Sequence, residues 1–187
     1  NFVNDGKQLV YHEQENGKRI QWHTLSVPRG GEYKLVLADG TRVWLNAASE
    51  LMYPDHFSAD QRKVVLKGEA YFEVTKDVKR PFSVVLGDME VKVLGTSFNV
   101  SAYPGVKRQT TLIEGQVAVN WHRQQVVIRP GQQAAETDEG LRVASVNVMN
   151  YVGWKEHRFV YENKLLGEVL EDLERWYDVE VFVMHDE

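Results

Sequence analysis

The residues with which this chain could do chemistry are six histidines, a pair of glutamates four positions apart and five tryptophans. His12, His23, His56, His122, His157 and His185 fall in none of the spacings that bring two imidazoles to one metal, such as His-x-His or His-Glu-x-x-His. His12-Glu13 lacks the second histidine, and scattered surface histidines are the expectation. The sequence contains no cysteine, which excludes a thiolate zinc site and a cysteine nucleophile but does not fix a redox compartment. Glu69 and Glu73 could be imagined as a glycosidase pair on one strand face. Four residues of strand separate them by about 13 Å, whereas acid–base pairs for sugar hydrolysis stand roughly 5–9.5 Å apart, so two solvated carboxylates are the better reading. No serine sits in a Gly-x-Ser-x-Gly elbow and no glycine-rich loop precedes a helix. Lys76 to Arg80 reads as a solvated basic loop before Pro81. No catalytic residue, cofactor or metal site is expected, nor a cleft where polar groups from several strands converge. The tryptophans leave a glycan-binding reading open, through an outward ring such as Trp44, although packing is the commoner fate of so much apolar area.

These side chains must be positioned by strands. The organising stretch is Tyr33 to Asn46, YKLVLADGTRVWLN. A two-residue turn on Asp39-Gly40 would set Leu35 opposite Trp44 and mix both faces. A three-residue loop, Ala38-Asp39-Gly40, closing a type I turn with Gly40 left-handed, pairs Leu37 with Thr41, Leu35 with Val43 and Tyr33 with Leu45. One face is then apolar but for Thr41, and the other carries Lys34, Val36, Arg42, Trp44 and Asn46. A slip of one residue would destroy this sorting.

Strand-like runs continue to about residue 148. Leu9 to Tyr11 and Arg19 to Trp22 flank the turn dipeptide Asn16-Gly17, and Pro28-Arg29-Gly30-Gly31 breaks the chain before the organising hairpin. Val64 to Leu66 and Ala70 to Val74 bracket Lys67-Gly68, which reads as another strand–Gly–strand turn. In the second run Ala70, Phe72 and Val74 share one face and Glu69, Tyr71 and Glu73 the other. Phe82 to Leu86 and Met89 to Leu94 form a hairpin on Gly87-Asp88, glycine first as a type II′ turn prefers. Thr110 to Trp121, across Glu114-Gly115, and Val126 to Ala135, across Pro130-Gly131, repeat the rhythm. Leu141 to Val148 is the last strand of the set. Many short strands punctuated at regular intervals predict a mainly β fold, a multi-hairpin antiparallel sandwich or barrel, or a solenoid-like stack. From about Asn150 the pattern changes to strand, helix, strand. Arg158 to Tyr161 is short and extended, Asn163 can cap a helix from Lys164 to Tyr177, and Val179 to Val183 follows as a strand. Leu166, Val169, Leu170, Leu173, Trp176 and Tyr177 form a stripe expected to be core, Trp176 included. The expected division is an all-β domain over 1–148 and a small, incomplete β-α-β domain over 149–187.

Size and charge narrow the function. The chain has 187 residues, enough to bury about 70% of its unfolded surface without disulfides or a structural metal. Net charge is −5 with acids and bases interspersed, so there is no basic stripe to displace counterions from nucleic acid. No apolar run approaches the roughly 20 residues of a membrane span. The first residue is Asn1, which is compatible with a processed or excised piece of a longer protein.

The ordered blocks LADGTRVWLNAASELMYP (37–54), RKVVLKGEAYFEV (62–74), RPFSV (80–84), VKVLGTSFNVSAY (91–103), TTLIEGQVAV (110–119) and RPGQQA (129–134) resemble the FecR family of membrane-spanning anti-sigma regulators. The resemblance covers roughly residues 25–148. The tail, with Trp154, Phe159, Asn163, Leu170, Leu173 and RWYDVEV (175–181), resembles the start of the small domain that follows FecR domains in Bacteroidetes relatives, which is similar to the STN fold of secretins and TonB-dependent receptors. The resemblance implies a periplasmic sensing region of an inner-membrane anti-sigma factor. Its partner would be the signalling domain of a TonB-dependent outer-membrane receptor. An extracytoplasmic-function sigma factor would be held by a cytoplasmic helical segment, which these residues do not match. It implies no enzyme activity, no cofactor and no nucleic acid, and contact with a membrane only through a helix outside this stretch. The partner-binding surface is expected at Val179, Glu180, Val181, Phe182 and Val183, because an exposed strand edge can take a partner strand through its backbone. The alternative is an extracytoplasmic β-domain binding a glycan or small ligand. Substituting Gly40 by Val is expected to cost roughly 1–2 kcal/mol, because a branched residue resists the left-handed conformation. An unchanged melting temperature would remove the bulged register's main support.

Overall fold

The computed structural model describes residues 2–4, 8–11, 19–162, 164–182 and 184, with side chains from residue 19 onward. Its strands are β1 (Phe2–Asn4), β2 (Gln8–Tyr11), β3 (Trp22–Val27), β4 (Tyr33–Val36), β5 (Arg42–Leu45), β6 (Ser49–Pro54), β7 (Arg62–Glu73), β8 (Phe82–Leu86), β9 (Met89–Val93), β10 (Ser97–Ala102), β11 (Gln109–Glu114), β12 (Val117–Trp121), β13 (Gln124–Ile128), β14 (Gln132–Thr137) and β15 (Gly140–Ser145). Helical elements follow: α1 (Met149–Val152), a 3-10 turn (Gly153–Glu156) and α2 (Leu166–Tyr177).

The strands form two sheets that share β7. The first runs β1-β2-β4-β5-β7-β10-β11-β14-β15, and the second β3-β6-β7-β8-β9-β12-β13. Together they make a nearly closed, barrel-like sandwich. Most neighbours are antiparallel, but β7 with β8 and β2 with β4 are parallel. Strand β7 runs unbroken through Lys67-Gly68, so the expected turn there is a kink instead. Its even-numbered side chains Val64, Leu66, Ala70 and Phe72 stay buried on both sides of the kink. Gly68 has φ +89°, and a Cβ on it would come within 2.7 Å of the Ser49 Cα. That is why glycine sits where the strand leaves one sheet for the other. The 114–115 and 130–131 turns also carry the chain between sheets: β11 and β14 belong to the first, β12 and β13 to the second. The core is filled by Phe72 stacked on Phe98 at 5.1 Å, with Phe82 and Phe57 edge-on beyond.

The organising hairpin has the bulged register. Tyr33 pairs with Leu45 and Leu35 with Val43. The Gly40 amide donates to the Leu37 carbonyl at 2.9 Å, the Leu37 amide to the Thr41 carbonyl at 2.9 Å, and Gly40 has φ +82°. The 87–88 turn joins Leu86 to Met89, with Gly87 at φ +68°. Thr41, the one polar residue on the inward face, is fully buried, and its partners explain it. Its hydroxyl donates to Asp39 Oδ2 at 2.8 Å and accepts from the Thr75 amide at 3.2 Å. Asp39 Oδ2 also accepts from Nη1 of Arg62 at 2.8 Å, and Arg62 is itself fully buried. The same guanidinium donates to the carbonyls of Thr75 and Arg80 at 2.7 and 2.9 Å and lies over the Phe82 ring. This cluster fastens the hairpin turn, the start of β7 and the 75–80 loop together. The Lys76 to Arg80 loop keeps Lys76, Val78 and Lys79 exposed, as its reading as a solvated loop expects, while the Arg80 carbonyl ties its end to this cluster.

The C-terminal stretch differs from expectation. Helix α2 begins at Leu166, with Leu165 in the N-cap position and no side-chain cap; Asn163 lies outside the described residues. No ladder pairs residues 158–161 or 179–182, so among the described residues the helix stands without flanking strands; Val183 and the Asn16-Gly17 turn also lie outside them. Residues 149–156, which carry no strong periodicity, are helical. No helix among the described residues is long and apolar enough to cross a membrane. Removing one partner of the buried pair leaves the other charge uncompensated. Asp39→Ala is accordingly expected to lower unfolding free energy by about 3–5 kcal/mol in chemical denaturation, and a loss under about 1 kcal/mol would contradict this role for the cluster.

Candidate functional site

The outward side of β7 in the first sheet carries Glu69, Tyr71 and Glu73, the face that alternation assigned to solvent. In the fold it is instead covered by the C-terminal stretch. Asn46, at the end of β5, and Asn99, in the middle of β10, flank Glu69 because β5 and β10 are its ladder neighbours. The Asn46 side-chain amide donates to Glu69 Oε2 at 2.7 Å, and that of Asn99 to Oε1 at 2.8 Å. Asn99 Oδ1 in turn accepts from the indole N–H of Trp154 at 3.2 Å. Trp154 is buried and seats the 3-10 turn on the sheet. One residue on, Lys155 reaches over the Tyr71 ring at 4.3 Å and the Trp44 ring at 5.0 Å, and its ammonium lies 3.8 Å from Glu73. Such cation–π contacts gain from partial desolvation.

Helix α2 completes the roof. Arg175 lies over the Tyr103 ring at 4.3 Å, while the Tyr103 hydroxyl donates to the Ala47 carbonyl at 2.9 Å. Lys164 and Arg175 both pair with Asp172. The C-terminal end of α2 is capped from the barrel by the 28–31 turn. The Gly30 amide donates to the Arg175 carbonyl at 2.8 Å, and Arg29 Nη2 donates to the carbonyls of Glu174 and Val179, each at 2.9 Å. A cation placed on the free carbonyls of a helix end is favoured by the helix dipole.

Between sheet and roof lies a cleft of about 280 Å³, lined among others by Glu69, Tyr103, Tyr161, Asp172 and Arg175. This corrects the expectation that no such convergence of polar groups would occur. Burial pushes the Glu69 carboxyl up to about 6, opposed by the amide donors Asn99 and Asn46; the Asp172 carboxylate adds to the rise and Lys164 opposes it. Burial likewise raises the Tyr103 phenol. Glu69 accepts two amides and the Tyr103 hydroxyl donates to a carbonyl, whereas the Tyr161 hydroxyl and Asn150 Oδ1 are buried in the lining without a hydrogen-bond partner. Glu73 is held apart from Glu69 by its pairing with Arg42 at 2.5 Å, which leaves no glycosidase pair. His56, His122 and His157 sit beside Asp55, Asp88 and Glu32 in three separate places, and His23 lies near Tyr53. Among the described residues no three His, Asp or Glu side chains gather as a metal site.

Val179, Glu180, Val181 and Phe182 follow α2 as a tail held close to its end: the Val181 amide donates to Glu174 Oε1 at 2.8 Å. They are not part of the cleft. Phe182 is 80% exposed and Val179 44%. The stripe on α2 is less buried than periodicity suggested, with Leu166 66% and Tyr177 61% exposed and no residue of the helix fully buried. Trp176 packs edge-on to Phe159 at 5.0 Å and is only partly covered, so it is not core.

The architecture is that of a β-sandwich with a helical C-terminal cover. The description "FecR protein" matches residues 23–118 and "FecR, C-terminal" matches residues 158–187. Two crystal structures of a "putative anti-sigma factor" from Parabacteroides distasonis ATCC 8503 superpose on the chain. One, at 2.50 Å resolution, is 31% identical with a TM-score of 0.82, covering 86% of this chain and 76% of that one. The other, at 1.65 Å, is 32% identical with a TM-score of 0.81, covering 84% and 76%. No curated protein matches the sequence. The chain belongs to the FecR protein family of anti-sigma factors.

Because folding raises the Glu69 carboxyl from 4.5 to about 6, the folded protein binds this proton more tightly than the unfolded chain does. Glu69 therefore costs stability progressively as pH rises through that interval, by about 2 kcal/mol when fully ionised. Wild type is expected to lose that much relative to Glu69→Gln between pH 4 and 7. Parallel pH profiles of the two proteins would contradict the assignment.

Proposed function

We propose that this chain is the periplasmic sensing part of an inner-membrane anti-sigma factor. It relays, by protein–protein contact, a signal from a TonB-dependent outer-membrane receptor to an extracytoplasmic-function sigma factor. The observation that supports this most is the family match at both ends of the chain, joined by the Trp154–Asn99–Glu69 contacts into one arrangement. Residues 1–148 are the FecR-like domain and 149–187 the beginning of an STN-like one. Sigma-factor binding belongs to a cytoplasmic segment beyond these residues. The receptor's signalling domain meets the tail after α2, where Val179, Val181 and Phe182 expose apolar side chains around Glu180. Exposed apolar side chains grouped in one place favour a protein partner over solvent. The glycan-binding alternative is weakened at Trp44, whose ring lies beneath Lys34 and Lys155, each at 5.0 Å, so that lysines occupy the surface a sugar would stack on.

The test is a titration of the purified chain with signalling domains of TonB-dependent receptors from the same cell. Saturable binding to at least one of them is expected, weakened about tenfold by Glu180→Lys. Absence of binding to every receptor domain would overturn the function. Binding unaffected by Glu180→Lys would remove the tail from the contact surface.

A further inference from the structure

We propose that residues 149–182 are a releasable latch, which covers the outward face of β7 around Glu69 when docked and exposes that face when it lets go as a unit. The reason lies in how the stretch is held. The barrel is closed by an apolar core in which residues such as Phe72, Val84, Val91 and Phe98 are entirely inaccessible. The C-terminal stretch has one buried large side chain, Trp154, and no fully buried residue in α2. Its other ties are polar and peripheral. They include the Arg29 and Gly30 cap on α2, Arg175 over Tyr103, Lys155 over Tyr71 beside Glu73, and His157 beside Glu32. Segments held by few buried apolar contacts open at lower free energy than the core they rest on. These ties are also interdependent. The indole of Trp154 bonds Asn99, Asn99 bonds Glu69, and Glu69 lies beneath α2 near Asp172 and Lys164. Loss of one should therefore loosen the whole stretch rather than a single turn.

Docking also carries a proton dependence. From the barrel, Glu69 is faced by Asn46, Asn99 and Tyr103; from the C-terminal stretch, by Asp172, Lys164, Arg175 and Tyr161. Lys164 and Arg175 are already engaged by Asp172, and Arg175 also lies 3.8 Å from Glu171, so Lys164 offsets the Glu69 charge only in part. Covering Glu69 with this roof disfavours its ionised form, so the latch holds best in mild acid and loosens as the carboxyl ionises. His157 lies 3.5 Å from Glu32 of the barrel and is replaced in the test so that this contact stays out of the comparison. The place of this latch in signalling rests on the sensing function proposed above, but its existence is read without any partner.

Hydrogen exchange on the full chain tests it. Arg29→Ala is expected to speed exchange at least tenfold across both 149–156 and α2, leaving the amides of β7 and β9 unchanged. In the His157→Gln protein, exchange of the same amides, corrected for its intrinsic pH dependence, should rise about tenfold from pH 5 to pH 7.5. Glu69→Gln should abolish that rise. Acceleration confined to the last turn of α2, or shared by the barrel strands, would overturn the latch. A rise with pH that survives Glu69→Gln would overturn the part given to Glu69. Concerted release in a protein that binds no receptor domain would leave the latch standing and the sensing function refuted.

Discussion

The structure depends on one strand belonging to two sheets. β7 pairs with β6 and β8 before Gly68 and with β5 and β10 after it. Its inward side chains keep a single alternation through the kink, so both halves feed the same core. A side chain at Gly68 would collide with the backbone of Ser49, which pins the crossing to that residue. Everything on the outward side follows from the register this sets. Glu69 falls between Asn46 and Asn99 because they are the neighbours the two ladders supply.

Two charged side chains, Arg62 buried and Glu69 half-buried beneath the C-terminal stretch, mark the ends of this strand's influence, and they are treated differently. Arg62, at its start, meets a carboxylate, two carbonyls and an aromatic face, and an ionised pair so enclosed holds the hairpin turn and the 75–80 loop in one arrangement. Glu69, past the kink, is shut away from solvent with neutral amide donors and a neighbouring carboxylate, and Lys164 offsets this only in part, so its charge is disfavoured. The first arrangement is a fixed support. The second is a group poised near the edge of ionisation at the junction between the barrel and its cover.

The β-rich architecture was legible in the sequence because strand alternation and turn chemistry are local. The hairpin register followed from sorting Leu35, Leu37, Val43 and Leu45 onto one face, and Gly87-Asp88 from the glycine a type II′ turn needs. Where glycine served a crossing between sheets, at Gly68, Gly115 and Gly131, the same local signal was read as a hairpin, since nothing nearby distinguishes a strand that turns back from one that moves to another sheet. The cleft was hidden for a different reason. Arg29 and Glu174 lie 145 residues apart, and Trp154 and Asn99 55 apart, so no spacing rule reaches them. Glu69, Tyr71 and Glu73 read as a solvent face because alternation says which residues point outward, not what covers them. The blocks that carry the family resemblance, which contain Asn46, Glu69, Asn99, Trp154 and Arg175, meet at this one place.

The central claim is that the C-terminal stretch rides on the barrel through the outward face of β7. Backbone nitrogen relaxation at mildly acidic pH measures this directly. Amides of α2 should report the same rotational correlation time as those of β7, as parts of one tumbling body. A distinctly shorter correlation time for α2 would mean that it moves independently, and the contacts around Glu69 could not be what joins the two.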